Sequence, residues 1–160
     1  MYLVDTDVLS AGAPDKARAM TGLVQWMDRN SARLYLSVIT VAEVEDGIAK
    51  ARRQGANRKA DRLADWLETL LHLYTARILP LDVAVARRLG RLSDQARGAG
   101  GAPGLADLAI AATAASRGFT VLTRNLRHFR PLDVPCHDPF DSLPAEAGPP
   151  GAATIQEDRP

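Results

Sequence analysis

The chain has 160 residues, 46% of them hydrophobic and 24% charged, which are the proportions of one globular domain able to bury a core. Lys plus Arg number 20 against 19 Asp plus Glu, a net charge of +1; this excludes a general field for nucleic acid or anionic membrane and confines any polyanion site to a local patch. The lone cysteine, Cys136, excludes an internal disulfide, no stretch approaches the ~18 apolar residues of a membrane span, and no basic segment with a long apolar run opens the chain. The sequence therefore reads as a soluble cytoplasmic protein without a membrane partner.

Short apolar runs alternate with helical periodicity along the chain. Tyr2-Leu3-Val4 is brief and bounded by polar residues, as a buried strand is. Met20, Leu23, Val24 and Met27 then fall at helical spacing, Leu34-Tyr35-Leu36 reads as a second strand, and Val41, Val44 and Ile48 mark another helix. Leu63, Trp66, Leu67, Leu70, Leu71 and Tyr74 line one face of a long helix from Asn57 to Tyr74, followed by a strand at Ile78-Leu79 and a helix through Val85, Leu89, Leu92 and Ala96. Gly98 to Gly104 holds four glycines and a proline in seven residues, a composition that demands a loop and predicts a mobile one. Leu105, Leu108, Ala109 and Ala112 make the last helix, Phe119 to Leu122 a fourth strand, and Val134-Pro135-Cys136 a fifth at an edge, where proline is tolerated. Strands separated by helices predict an α/β fold on a mainly parallel sheet. Residues 1–143 form the domain; 144–160 is expected to be a disordered tail, because Ile155 is the only large aliphatic residue from Ala145 onward.

In such folds the ligand crevice lies beyond the carboxyl ends of the strands. Asp5-Thr6-Asp7 follows the first strand and Thr123-Arg124-Asn125 the fourth, while Glu43 and Asp107 open helices. Each has a plain structural explanation. Thr40-x-x-Glu43 has the form of a capping box, Asp107 complements a helix dipole, and Asp5 and Asp7 are ordinary caps. In combination they point to chemistry, because Asp5 directly ends a run that should be buried.

Four blocks carry a family resemblance. Tyr2-Leu3-Val4-Asp5-Thr6-Asp7-Val8-Leu9-Ser10 resembles the opening of PIN-domain nucleases, specifically VapC-type and FitB-type toxins of type II toxin–antitoxin pairs. Leu36 to Glu43 with Gly47-Ile48, Asp107 to Ala114, and Val121 to Asn125 with Phe129 and Asp138-Pro139-Phe140 resemble the later blocks in order and spacing, over roughly residues 1–143. The resemblance implies a three-layer PIN-like fold around a central five-stranded parallel sheet, an acidic pocket for Mg²⁺ or Mn²⁺, and a ribonuclease held inactive by a VapB- or FitA-like antitoxin that carries the DNA-binding module. It further implies a homodimer. On it Asp5, Glu43 and Asp107 carry over as the core carboxylates. This chain has Asn125 and His128 where some members carry acids, and Asp7 where asparagine is common.

The chemistry suits such a pocket. Three clustered acids raise one another's pKa unless a cation neutralises them, and a hard divalent ion takes oxygen ligands completed by water and substrate phosphate. Zinc has no evident cage, since His and Cys are absent from all four blocks except for His128. Asp5 and Asp107 are read as direct metal ligands and Glu43 as a ligand or an orienter of the attacking water in a metal-dependent endoribonuclease. For substrate binding, Arg124, Arg127 and Arg130 with His128 form an acid-free cluster, Asn125 can donate to phosphate, and Thr6 and Thr123 offer hydroxyls that serve either a phosphate or a cap. Arg52 and Arg53 are weaker candidates, late in a helix. Trp66 and Tyr74 fit the apolar face of their own helix, so no aromatic platform for stacking bases is evident in the sequence. Two alternatives stand beside this. Asp5-Thr6-Asp7 also looks like the strand-end Asp-x-Asp of haloacid-dehalogenase phosphatases, and a PIN-like binding protein without activity would share the same blocks.

Overall fold

A computed structural model describes residues 1–145 of the chain. Five short strands, β1 (Tyr2–Val4), β2 (Leu34–Ser37), β3 (Ile78–Leu79), β4 (Thr120–Leu122) and β5 (Cys136–His137), form one sheet in the order β3-β2-β1-β4-β5. Every pairing is parallel, with Leu3 beside Tyr35 on one flank and beside Val121 on the other. Parallel neighbours require crossovers, and helices supply them: α1 (Thr6–Leu9), α2 (Thr21–Arg29), α3 (Val38–Arg53), α4 (Asn57–Tyr74), α5 (Val83–Gly98), α6 (Leu105–Arg117) and α7 (Leu126–Phe129). Among the described residues no helix is long and apolar enough to cross a membrane.

The pleat sends alternate side chains to opposite faces, and the two cores follow from it. Val4 and Leu122 join Trp26, Ile48 and Leu67 of α2, α3 and α4 in one layer. Leu3 and Val121 join Val85, Leu92, Ile110 and Phe129 of α5, α6 and α7 in the other. The expected α/β architecture with helices on both faces is therefore present.

Local chemistry ends the long helices. Gly55 and Gly100 adopt φ of 76° and 75°, a conformation other L-residues resist. At each, two bonds close the helix: Gly55 N–H and Ala56 N–H donate to the Arg52 and Ala51 carbonyls, and Gly100 N–H and Gly101 N–H to those of Arg97 and Ala96. The loop after α5 thus begins with a defined cap.

Two sequence expectations shift. The fifth strand forms at Cys136–His137 rather than at 134–136, because Pro135 has no N–H and joins the ladder only through its carbonyl, which accepts from Val121. The expected tail boundary at 144 also moves. Pro144 is buried, and its carbonyl accepts the indole Nε1–H of Trp26 at 3.0 Å; the rest of the expected tail, 146–160, lies outside the described residues.

Candidate active site

Strand order reverses at β1, whose chain partners β2 and β3 lie to one side and β4 and β5 to the other. The crevice at such a switch point opens beyond the carboxyl ends of β1 and β4, where Asp5 and Thr123 stand. The Asp5 N–H extends the ladder by donating to the Leu122 carbonyl at 3.0 Å. Asp5 is 7% exposed as a residue, and its carboxylate caps α1 by accepting from Thr6 N–H at 2.8 Å and accepts from Thr123 Oγ1 at 2.7 Å. Capping and site placement are therefore the same geometry. Burial foremost, then repulsion from Asp7 and Glu43, pushes the Asp5 carboxyl up to about 6 against the two hydrogen bonds that lower it.

Asp7, in the first turn of α1, accepts from the Arg124 N–H at 3.1 Å through Oδ2. Its Oδ1 is buried without a hydrogen-bond partner, and burial raises this carboxyl as well.

Glu43 arrives by a route that corrects the capping-box reading. Helix α3 starts two residues before Thr40, with Ser37 as its cap accepting from Ile39 N–H at 3.2 Å. Thr40 is fully buried inside the first turn and points its hydroxyl at the Val4 carbonyl, 3.4 Å away. Glu43 is consequently released from capping, and its Oε2 accepts from the Thr6 hydroxyl at 2.5 Å.

Asp107 sits in the first turn of α6. Its Oδ2 lies 2.8 Å from Nδ1 of His128, and that same nitrogen lies 2.6 Å from Asn125 Nδ2. One ring nitrogen cannot both donate to Asp107 and accept from Asn125. With its hydrogen on Nδ1 it donates to Asp107, and Asn125 then presents its carbonyl oxygen.

Asp5, Asp7, Glu43 and Asp107 all line one open cavity of about 340 Å³, together with Thr6, Arg124 and Asn125. Three substrate-side expectations change. Thr123 is 0% exposed, donates to Asp5 and accepts from Asn125 N–H at 3.0 Å; it positions a carboxylate and cannot touch a phosphate. His128 belongs to Asp107 rather than to the arginine cluster. Of that cluster Arg124 lines the cavity, with its guanidinium 5.0 Å from the Phe140 ring centroid, whereas Arg127 and Arg130 do not line it. Sequence reasoning missed the cavity positions of Ser10, which closes the first block without being singled out there, and of Lys16, which lies in no motif.

The donor set suits a hard cation: all four carboxylates offer oxygen, Asp7 Oδ1 has no partner, and Asp5 is held in a form that a nearby positive charge would relieve. Among the described residues no three His, Cys, Asp or Glu side chains are drawn together as a ready-made cage.

Comparison with known proteins agrees with this geometry. The PIN domain family model matches residues 2–134. The chain is 34% identical over 146 residues to the VapC ribonuclease Y4jK of Sinorhizobium fredii, covering 88% of this chain and 99% of that one. It is 35% identical over 142 residues to the toxin FitB of Neisseria gonorrhoeae, covering 88% and 99%. The crystal structure of FitAcB from the same organism superposes with a TM-score of 0.76 at 35% identity, over 88% of this chain and 99% of that one.

Proposed function

From the premise that this chain belongs to the PIN domain family, we propose that it is the toxin of a toxin–antitoxin pair, a metal-dependent endoribonuclease of the cytoplasm. The observation that carries the reading is the convergence of Asp5, Asp7, Glu43 and Asp107 on one cavity at the β1/β4 switch point. Similarity to proteins named VapC ribonuclease and toxin FitB supports it. The phosphatase reading of Asp5 and Asp7 is set aside by the family match.

Asp5 and Asp107 would hold a magnesium or manganese ion. When bound, such an ion supplies Lewis acidity, offsetting the negative charge that builds on the scissile phosphate. Thr123 favours the ionised form of Asp5 and orients it through its hydroxyl, which is itself completely buried. The Thr6 hydroxyl occupies Oε2 of Glu43, so Oε1 is the oxygen that orients the attacking water. His128 fixes the carboxylate of Asp107 from the other side by donating from Nδ1, and Asn125 lies against that same ring nitrogen. Arg124, exposed and anchored by its backbone to Asp7, meets phosphate oxygens beside the cut. Thr6 and Asn125 complete the substrate contacts. The protein acts as a homodimer and is held inactive by a VapB- or FitA-like antitoxin.

The test is incubation of purified protein with a mixed single-stranded RNA pool in Mg²⁺, Mn²⁺ or EDTA. Cleavage is expected with either metal, none in EDTA and none from Asp5→Asn. A folded wild-type protein that leaves RNA intact in both metals would overturn the nuclease reading and favour an inactive binding protein. Growth arrest on expression, relieved by the small protein encoded beside it, tests the toxin role separately.

A further inference from the structure

All three lysines of the chain, Lys16, Lys50 and Lys59, line a single cavity of about 380 Å³. They come from the loop after α1, the last turn of α3 and the first turn of α4, so only folding brings them together. The cavity shares Thr6, Ser10, Lys16 and Glu43 with the acidic cavity beside it. One therefore opens directly into the other.

The turn capped by Gly55 extends this charge. Between positions 50 and 62 the chain places Lys50, Arg52, Arg53, Arg58, Lys59 and Arg62 against the single acid Asp61, although the whole protein carries a net charge of only +1. Beyond Lys59, Arg58 and Arg62 line a further depression over the same turn. Some of these cations are neutralised internally: Arg62 pairs with Asp15 at 2.7 Å, and Arg52 approaches Asp61 at 3.9 Å. Lys16, Lys50 and Lys59 form no ion pair among the described residues.

A solvated basic face accounts for the charge but not for its position. Four carboxylates at the proposed cutting site repel a phosphodiester chain, and an approach lined by unpaired ammonium groups counters that repulsion. Lysine is suited to this as a mobile point charge that tracks phosphates without reading bases.

We propose that the lysine cavity and the basic turn beyond it bind the backbone phosphates of single-stranded RNA on one side of the bond cut at the acidic cavity. This rests on the nuclease reading and adds to it the direction in which the substrate leaves the site. The cavity also has apolar wall from Val44, Leu63 and Trp66, which an acidic protein segment would use; that occupant is the opposing outcome.

The experiment compares the full-length wild type with Lys50→Ala/Lys59→Ala. Binding of a labelled single-stranded RNA about 15 nucleotides long is followed by fluorescence anisotropy in EDTA across a salt series, so that cleavage plays no part. Each phosphate of a single strand that is no longer neutralised lowers the log–log salt slope by about 0.7, so the double variant should have a slope smaller by about 1.4 and bind about tenfold more weakly near ~150 mM salt. In Mg²⁺ the KM for that RNA should rise with kcat unchanged, while a tetranucleotide is cut as by the wild type. An unchanged slope and KM would overturn the track. Weakened binding of a poly-glutamate peptide with RNA binding unaltered would also overturn it, assigning the cavity to an acidic protein segment. Absence of cleavage by the wild type counts against the nuclease reading alone, since the salt slope in EDTA still decides the track.

Discussion

Thr123 and Asp5 stand 118 positions apart in the chain, and the fully buried hydroxyl of the first donates to Oδ2 of the second at 2.7 Å. The pairing exists because β1 and β4 are neighbours, with Val4 in register with Leu122, so the residue after each strand meets the other at the sheet's edge. A carboxylate that burial pushes up is in this way held partly down again.

Thr123→Val keeps the shape of the side chain and removes that donor. A hydrogen bond to a charged group is worth about 1.5–3 kcal/mol, roughly one to two pKa units. The titration midpoint of Asp5, followed by carboxyl NMR in the metal-free protein, should move upward from about 6, and Thr123→Ser should restore it. A midpoint that stays in place in the valine variant would show the bond to be energetically idle.

The raised Asp5 also makes metal-free stability depend on pH. Its folded pKa of about 6 exceeds the ordinary 3.8, so between these values the folded state binds more protons than the unfolded one. The contribution of Asp5 to stability is therefore greatest below the lower value, falls as pH rises through the window, and is reduced by about 3 kcal/mol above it. Asp5→Asn should flatten this dependence. At pH ~8 it should raise the melting temperature by about 3–8 °C, corresponding to about 1–2 kcal/mol once imperfect bonding of the amide to Thr123 is allowed for. Added Mg²⁺ should stabilise the wild type and leave Asp5→Asn unmoved; equal stabilisation of both would place the ion elsewhere.

Glu43→Gln and Asp107→Asn each remove a charge from the open cavity without emptying any packed core. Both should retain the wild-type circular dichroism spectrum and lose at least about 100-fold in RNA cleavage. Cleavage by Asp107→Asn at the wild-type rate would strike Asp107 from the site.

The fourth corner of the site is occupied by Asn125 and His128. Asp5, Asp7, Glu43 and Asp107 supply four negative charges, partly offset by Arg124 and Lys16 on the same cavity, which leaves fewer than the four positive charges of two divalent ions, so one ion is expected in the free protein, and a second enters only with substrate phosphate. Calorimetric Mn²⁺ titration should find one weak site in the wild type. Asn125→Asp should tighten it or add a second, and two sites of similar affinity in the wild type would contradict this.

At the end of the described chain, the Pro144 carbonyl accepts the Trp26 indole proton at 3.0 Å while Trp26 is 1% exposed. Ending the chain after Ala145 should leave stability unaltered. Ending it after Leu143 strands a buried N–H donor, at a cost of about 1–3 kcal/mol. Equal melting temperatures for the two truncations would show that water replaces the carbonyl.

Much of this molecule is written in local pattern. The short apolar runs at Leu3-Val4 and Val121-Leu122, buried on both faces of the sheet, and the helical stripe from Leu63 to Tyr74 are visible because burial leaves its pattern along the element, whereas Leu105, at helical spacing from Leu108, is 72% exposed. The residues after the strands, Asp5 and Thr123, are identifiable as site positions for the same reason. Short elements escape: α1 and α7 have four residues each, too few for a period to register, and their ends are set by what packs on them.

What tertiary structure alone decided is which polar groups engage one another. Thr40 and Glu43 have the spacing of a capping box, yet the chain turns from β2 into α3 at Ser37, which buries Thr40 and sends Glu43 to Thr6. Thr123 and His128 look equally available to a substrate in sequence, but one is enclosed beneath Asp5 and the other is bound to Asp107. The gathering of Lys16, Lys50 and Lys59 is likewise absent from any local window. Periodicity reports how strongly a residue is buried, because burial follows from position on its own helix or strand. Partnership between polar side chains depends on distances of a few ångströms between elements far apart in the chain, and only the packed fold sets those distances.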